Sequence, residues 1–148
     1  MKTPTYDEAA LLPLTTDADI TERVELLIGR ANQRQLWLLF LDELNLQLPL
    51  LIPVEGLPVS PTEAETALIL DRVREVMGEL GASSIVVVIE RYGPSAPTPQ
   101  DLDWARSIRR ACEATGVSLR AQLLSHRTGV SWISTEDPES RIVTRPGE

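Results

Sequence analysis

Three side chains of different chemistry follow one another at the end of a β-branched run. Ser84-Ile85-Val86-Val87-Val88-Ile89 leads into Glu90, Arg91 and Tyr92, and a proline-rich segment separates them from Asp101 and Asp103. Loops at strand ends carry function more often than the strands themselves. A carboxylate from Glu90, one from Asp103 and one from an upstream glutamate, Glu63 or Glu75, make an all-oxygen set of the kind that holds Mg²⁺ or Mn²⁺. Arg91 and Tyr92 together suit an anion or a peptide carboxylate. The plain structural alternative is a packed tyrosine beside a solvated arginine, with Asp101 and Asp103 answering the positive end of a helix dipole.

The remaining reactive residue types are scarce. The 148-residue chain has one histidine, His126, and one cysteine, Cys112. One of each excludes His₃, Cys₄ and Cys₂His₂ zinc sites within a chain, and excludes an internal disulfide. His126 lies beside the turn Ser125-His126-Arg127-Thr128-Gly129 and reads as an exposed turn residue. It has no partners placed for nucleophile activation. Cys112 falls on the apolar face of a helix and reads as an inert core thiol. The net charge is −8, which opposes binding to phosphate backbones, so nucleic acid is not an expected partner. Trp37, Trp104 and Trp132 occur on three different elements and read as packing rather than as a stacking platform. No apolar run is long enough to cross a membrane, and no signal-peptide pattern opens the chain. A cytoplasmic protein without cofactors is expected.

The elements that would position these residues follow from periodicity. Residues 1–16 read as a mobile arm, 17–134 as the folded α/β domain and 135–148 as a flexible tail. Ile20, Val24, Leu27, Ile28 and Ala31 recur at helical spacing, which predicts a helix over Asp19–Arg34 capped by Thr16 or Asp17. Leu36–Leu41 is apolar on both faces, as a central strand is. Asp42–Asn45 turns the chain into Leu46–Val54, whose Pro49 and Pro53 mark an irregular or edge strand of an antiparallel hairpin. Ser60-Pro61-Thr62-Glu63 reads as a helix start with Ser60 as cap, and Gly81 as its stop. Strand Ser84–Ile89 follows, then a helix over Asp101–Thr115 ended by Gly116. Residues 117–124 alternate, with Ser118, Arg120 and Gln122 predicted to form a polar face, and a turn leads to a last strand at Val130–Ile133. The fold class is α/β: a single-layer mixed sheet flanked by helices, in the order α-β-β-α-β-α-β-β.

This order and several local strings carry a resemblance over residues 18–134. Phe40-Leu41-Asp42-Glu43-Leu44-Asn45 looks like a strand that ends in Leu-Asp and a polar turn. Glu90-Arg91-Tyr92, seven residues from Gly93 to Pro99, Gln100, and then Asp103 keep the spacing of a His-x-His, seven-residue, Ser-x-x-Asp motif. Gly116-Val117 and Gly129-Val130-Ser131 look like a closing hairpin. Together they resemble the RadC-like branch of the JAB/MPN (JAMM) family. The resemblance implies a zinc-dependent hydrolase site in which two imidazoles and an aspartate hold the metal and an upstream glutamate moves the proton. Here the imidazole positions hold Glu90 and Tyr92, the serine position holds Gln100, and Asp103 alone matches. Glu63 and Glu75 both lie near the place of the upstream glutamate.

The resemblance therefore implies a non-catalytic relative, a pseudoenzyme acting as an interaction module. The alternatives are a hydrolase rebuilt on Glu90, Asp103 and Glu63 or Glu75, and a DNA-repair-associated protein by analogy with RadC. A homodimer or a docked protein partner is expected, because strand edges at Leu46–Val54 and at Val117–Leu124 lack the lysines that usually block pairing.

Overall fold

A computed structural model describes residues 13–133. The proposed arm and tail lie outside the described residues, except for 13–16. In chain order the elements are α1 (Asp17–Leu27), β1 (Gln35–Leu41), β2 (Gln47–Val54), α2 (Glu63–Leu80), β3 (Ser84–Glu90), α3 (Pro99–Thr115), β4 (Leu119–His126) and β5 (Gly129–Trp132). The expected order α-β-β-α-β-α-β-β is the one observed. The described residues form an open five-stranded mixed sheet in the order β2-β1-β3-β4-β5, in which β3 and β4 alone run parallel.

Side chains alternate across a strand, so each strand feeds two layers. Leu36, Leu38 and Phe40 of β1 and Ile85, Val87 and Ile89 of β3 face α2 and α3, where they bury Leu70, Val73, Trp104, Ala105 and Ile108. Leu39, Leu41, Val86, Val88, Ala121 and Leu123 face the other way and cover Ile20 and Val24 of α1 together with Leu14. The sheet is therefore sandwiched between one helix and two.

Several boundaries differ from the sequence expectation. The first helix stops at Leu27, not Arg34. Its continuation is drawn off by tertiary bonds: Ala31 N–H donates to His126 O at 2.7 Å, Asn32 and Gln33 N–H donate to Glu90, and Gly29 sits at φ 67°. The second helix is capped by Thr62, not Ser60. Thr62 Oγ1 accepts from Glu65 N–H at 3.1 Å and also meets the Glu65 carboxylate at 2.8 Å. Gly81 ends that helix in the left-handed region, as expected.

β4 is not an edge and has no polar face. It lies between β3 and β5, residues 121–126 are all buried, and Gln122 donates to Ala105 O of α3 at 2.9 Å. Among the described residues the edges are β2 and β5. In β2, Pro53 stands opposite Trp37 and has no N–H to offer an incoming strand. In β5, the Val130 N–H is taken by Glu25 of α1 at 2.9 Å. Both edges are thus blunted without lysine. No helix among the described residues is long and apolar enough to cross a membrane.

Candidate functional site

β3 and β4 end side by side, and β1 begins beside them. The segments 28–34, 91–98 and 127–128 therefore meet at one end of the sheet. Carboxyl ends of parallel strands are where open α/β sheets usually present their functional groups. Glu90, Arg91 and Tyr92 all lie here, and alternation sends them in different directions.

Glu90 points to the α1 side and is buried. Oε2 accepts the N–H of Asn32 at 2.6 Å and of Gln33 at 3.0 Å, while Oε1 accepts Gln35 Nε2 and Trp37 Nε1, each at 2.8 Å. Burial pushes its pKa up, but the Gln33, Trp37, Asn32 and Gln35 donors outweigh burial and hold the carboxyl below its ordinary value. Two donors on each oxygen fill the accepting capacity of a carboxylate. The group is a latch that ties the 28–34 segment and the start of β1 to the end of β3.

Arg91 points to the α3 side and is equally buried. Nε and Nη2 donate to Asp101 Oδ2 at 3.0 and 2.8 Å, Nη1 donates to Pro94 O at 2.6 Å, and Nη2 donates to Ala96 O at 3.0 Å. Asp101 also takes the Thr98 N–H at 2.8 Å, and its own N–H donates to Thr98 Oγ1 at 3.2 Å, closing a capping box with Pro99 in the first turn. Burial raises the Asp101 pKa, but Arg91 and Thr98 bring it below its ordinary value. One ion pair therefore fixes the proline-rich loop to the strand end and to the helix that follows. The expected solvated arginine beside a packed tyrosine is inverted: Arg91 is packed, and Tyr92 is 71% exposed.

The expected carboxylate constellation is not assembled. Glu90 belongs to the α1 face of the sheet, whereas Asp103 and Glu63 sit on helices of the opposite layer. Asp103 and Glu63 do line one groove, of about 460 Å³ between α2 and α3, with Arg110 on its wall. Asp103 is exposed and reaches Arg106 at 3.8 Å. Glu75 is exposed further along α2 and does not line that groove. Among the described residues no three His, Cys, Asp or Glu side chains converge on a metal-sized site. The residues at the zinc positions implied by the resemblance do not fit the ion: Glu90 has no free lone pair, and Tyr92 projects outward.

His126 is a further correction. It is buried at the end of β4, not exposed in the turn, because the two-residue turn is Arg127-Thr128 and the histidine remains in the ladder opposite Gly129. Its Nδ1 contacts Thr128 N and Oγ1, both at 3.3 Å. Burial lowers its pKa, Arg91 lowers it further, and Glu25 opposes them. Cys112 is buried as expected, and burial with Glu113 nearby pushes its thiol up to about 11, which leaves it unreactive.

Residues not singled out from the sequence complete this end of the molecule. Arg30 and Arg34 are exposed on segment 28–34 and Arg127 on segment 127–128. Arg34 donates to Val59 O at 3.1 Å, beside the Trp104 indole that donates to the same carbonyl at 3.0 Å. The available signal was local composition: no carboxylate occurs in 29–35, 91–100 or 126–130 of an otherwise acidic chain.

No family model matches the chain, and no curated protein matches it.

Proposed function

We propose that the chain is a non-catalytic interaction module of RadC-like, JAB/MPN type, working in the cytoplasm through protein contacts. The observation that supports this best is the use made of the would-be catalytic positions. Glu90 and the neighbouring Arg91–Asp101 pair are consumed in holding loops together, Tyr92 faces outward, and Asp103 is a solvated helix residue. A hydrolytic metal site needs ligands with free lone pairs converging on one point and an open position for water. These side chains offer neither.

The partner assigned to the apolar flank is a second copy of this chain. Leu38, Phe40, Ile52, Val54, Ile69 and Val76 line a groove of about 240 Å³ between β1, β2 and α2. Leu68, on the rim of the same groove, is 68% exposed. A projecting leucine beside a hollow gives the self-complementarity that a two-fold contact requires. The blunted β2 edge directs this contact to side chains rather than to sheet extension.

Elemental analysis of chelator-free protein tests the reading. The expected result is no stoichiometric zinc or manganese and an unchanged melting temperature on adding either. About one metal per chain, lost on Asp103→Ala and accompanied by peptidase activity, would overturn it.

A further inference from the structure

We propose that the exposed face formed by Arg30, Asn32, Gln33, Tyr92, Arg127 and Thr128 docks an acidic segment of another protein. This deepens the interaction-module reading and rests on it.

The first support is convergence. Arg127 N–H donates to Gly93 O at 2.9 Å, Ala31 N–H donates to His126 O at 2.7 Å, and the Asn32 and Gln33 N–H groups end on Glu90. Three segments distant in sequence are thereby held edge to edge, and the side chains of all six residues belong to them.

The second support is charge. The chain carries −8 overall, yet these segments present arginines and no exposed carboxylate. Glu90 and Asp101 are buried there, Glu90 with both oxygens taken by N–H donors and Asp101 with Oδ2 taken by Arg91 and the Thr98 N–H. Glu25 of α1, exposed with its Oε1 accepting the Val130 N–H, sets one negative charge at the margin of the patch. Arg30 and Arg127 form no ion pair among the described residues, and an acidic protein that sets two such cations on one face is matched to an anionic partner.

The third support is preorganisation with an aromatic anchor. Buried Glu90 and Arg91 fix the loop backbones before any partner arrives, which lowers the ordering cost of binding. Tyr92 stands 71% exposed between the arginine-bearing loops, and tyrosine with arginine is the usual composition of an interface hot spot.

A peptide is favoured over a nucleic acid because the cations are few and form no stripe. The remaining negative charge would also repel a long polyanion.

The test uses the full chain and a fluorescein-labelled polyglutamate peptide with one central phenylalanine, with polylysine and oligothymidylate of equal length as comparators. Fluorescence anisotropy is expected to show saturable binding of the acidic peptide that weakens with salt. Arg30→Glu with Arg127→Glu should weaken it at least about tenfold. Tyr92→Ala should weaken it as well, without changing the melting temperature. Arg74→Glu, an exposed reversal on α2, should leave it unchanged.

Absence of saturable binding at low salt would overturn the proposal. So would an equal loss with Arg74→Glu, or tighter binding of oligothymidylate. Failure of this kind in metal-free, inactive protein leaves the non-catalytic reading standing. Metal-dependent hydrolysis would overturn that reading whatever the peptide does.

Discussion

Trp37 and Glu90, 53 residues apart, meet through a 2.8 Å bond from the indole Nε1 to Oε1. The same carboxylate oxygen also accepts the Gln35 amide. A half-buried tryptophan in the most apolar strand is thus held by a charge from the neighbouring strand. Trp37 packs in the layer of α1, whereas Leu36 and Leu38 beside it are buried in the layer of α2 and α3.

Removing either partner should separate packing from hydrogen bonding. Trp37→Phe keeps the ring but loses the charged bond, and should cost about 1.5–3 kcal/mol. Trp37→Ala adds a cavity and should cost about 3–5 kcal/mol. Glu90→Ala strands several buried donors at once and should be at least as damaging as Trp37→Phe. Urea unfolding of Trp37→Phe, of Glu90→Ala and of the two combined should give a coupling energy of about 0.5–3 kcal/mol. Additive single effects would show that the latch acts through the Asn32, Gln33 and Gln35 donors without Trp37.

Two aspartates of one helix turn should behave differently. Asp101 is buried under Arg91 and carries the capping box, so Asp101→Ala leaves a buried guanidinium unpaired and should cost about 3–5 kcal/mol. Asp103 is exposed with a long contact to Arg106, and Asp103→Ala should cost less than about 1 kcal/mol. Thermal unfolding of both variants checks this. Equal losses would mean that Asp103 holds a network of its own.

The same contrast shows what the sequence disclosed. The Thr16 cap of α1, Gly81 and Gly116 as stops, the β1–β2 hairpin and the order of elements were legible, because local propensity and tertiary context agree there, whereas the cap of α2 fell on Thr62 and not Ser60. The end of α1 was not legible. Ile28 and Ala31 keep helical spacing, but the donors at 31–33 find better partners in His126 and Glu90, which are far away in the chain. Alternation at Ser118, Arg120 and Gln122 suggested a wet face; Gln122 instead bonds to α3, a partner that periodicity cannot reveal. The charged run Glu90-Arg91 reads as a site in sequence because strand ends favour function. Only the opposed directions of the two side chains show that both are structural.

Acid should weaken the fold in two stages. His126 is held below its ordinary value of 6.5 by burial and by Arg91, against the pull of Glu25. Between its lowered folded pKa and 6.5 the unfolded chain binds more protons, so stability falls as pH drops through that window. Glu90 and Asp101 are held below ordinary values of 4.5 and 3.8. Their contribution is fully present above those values and disappears as pH falls through the lowered ones. The urea midpoint should therefore decline gently below pH 6.5 and steeply below about pH 4.5. His126→Gln should abolish the first stage and keep the second. A wild-type midpoint that is flat down to the carboxylate range would contradict the assignment of His126.

Self-association should depend on Leu68 and not on the sheet edges. Leu68 is 68% exposed in the single chain, so Leu68→Asp removes little intramolecular packing and should cost less than about 1 kcal/mol of thermal stability. Across a two-fold contact the same substitution carries a carboxylate into the mainly apolar groove of the other copy, where Arg72 is the single charged lining residue and the cost of desolvating the carboxylate should weaken the contact. Light scattering at micromolar concentration should give twice the 16.4 kDa chain mass for the wild type and one chain mass for Leu68→Asp. Pro53→Thr restores an outward N–H on β2 and should not change the dimer, because that edge does not form it. A wild-type mass of one chain, or a dimer indifferent to Leu68→Asp, would remove the groove as the interface.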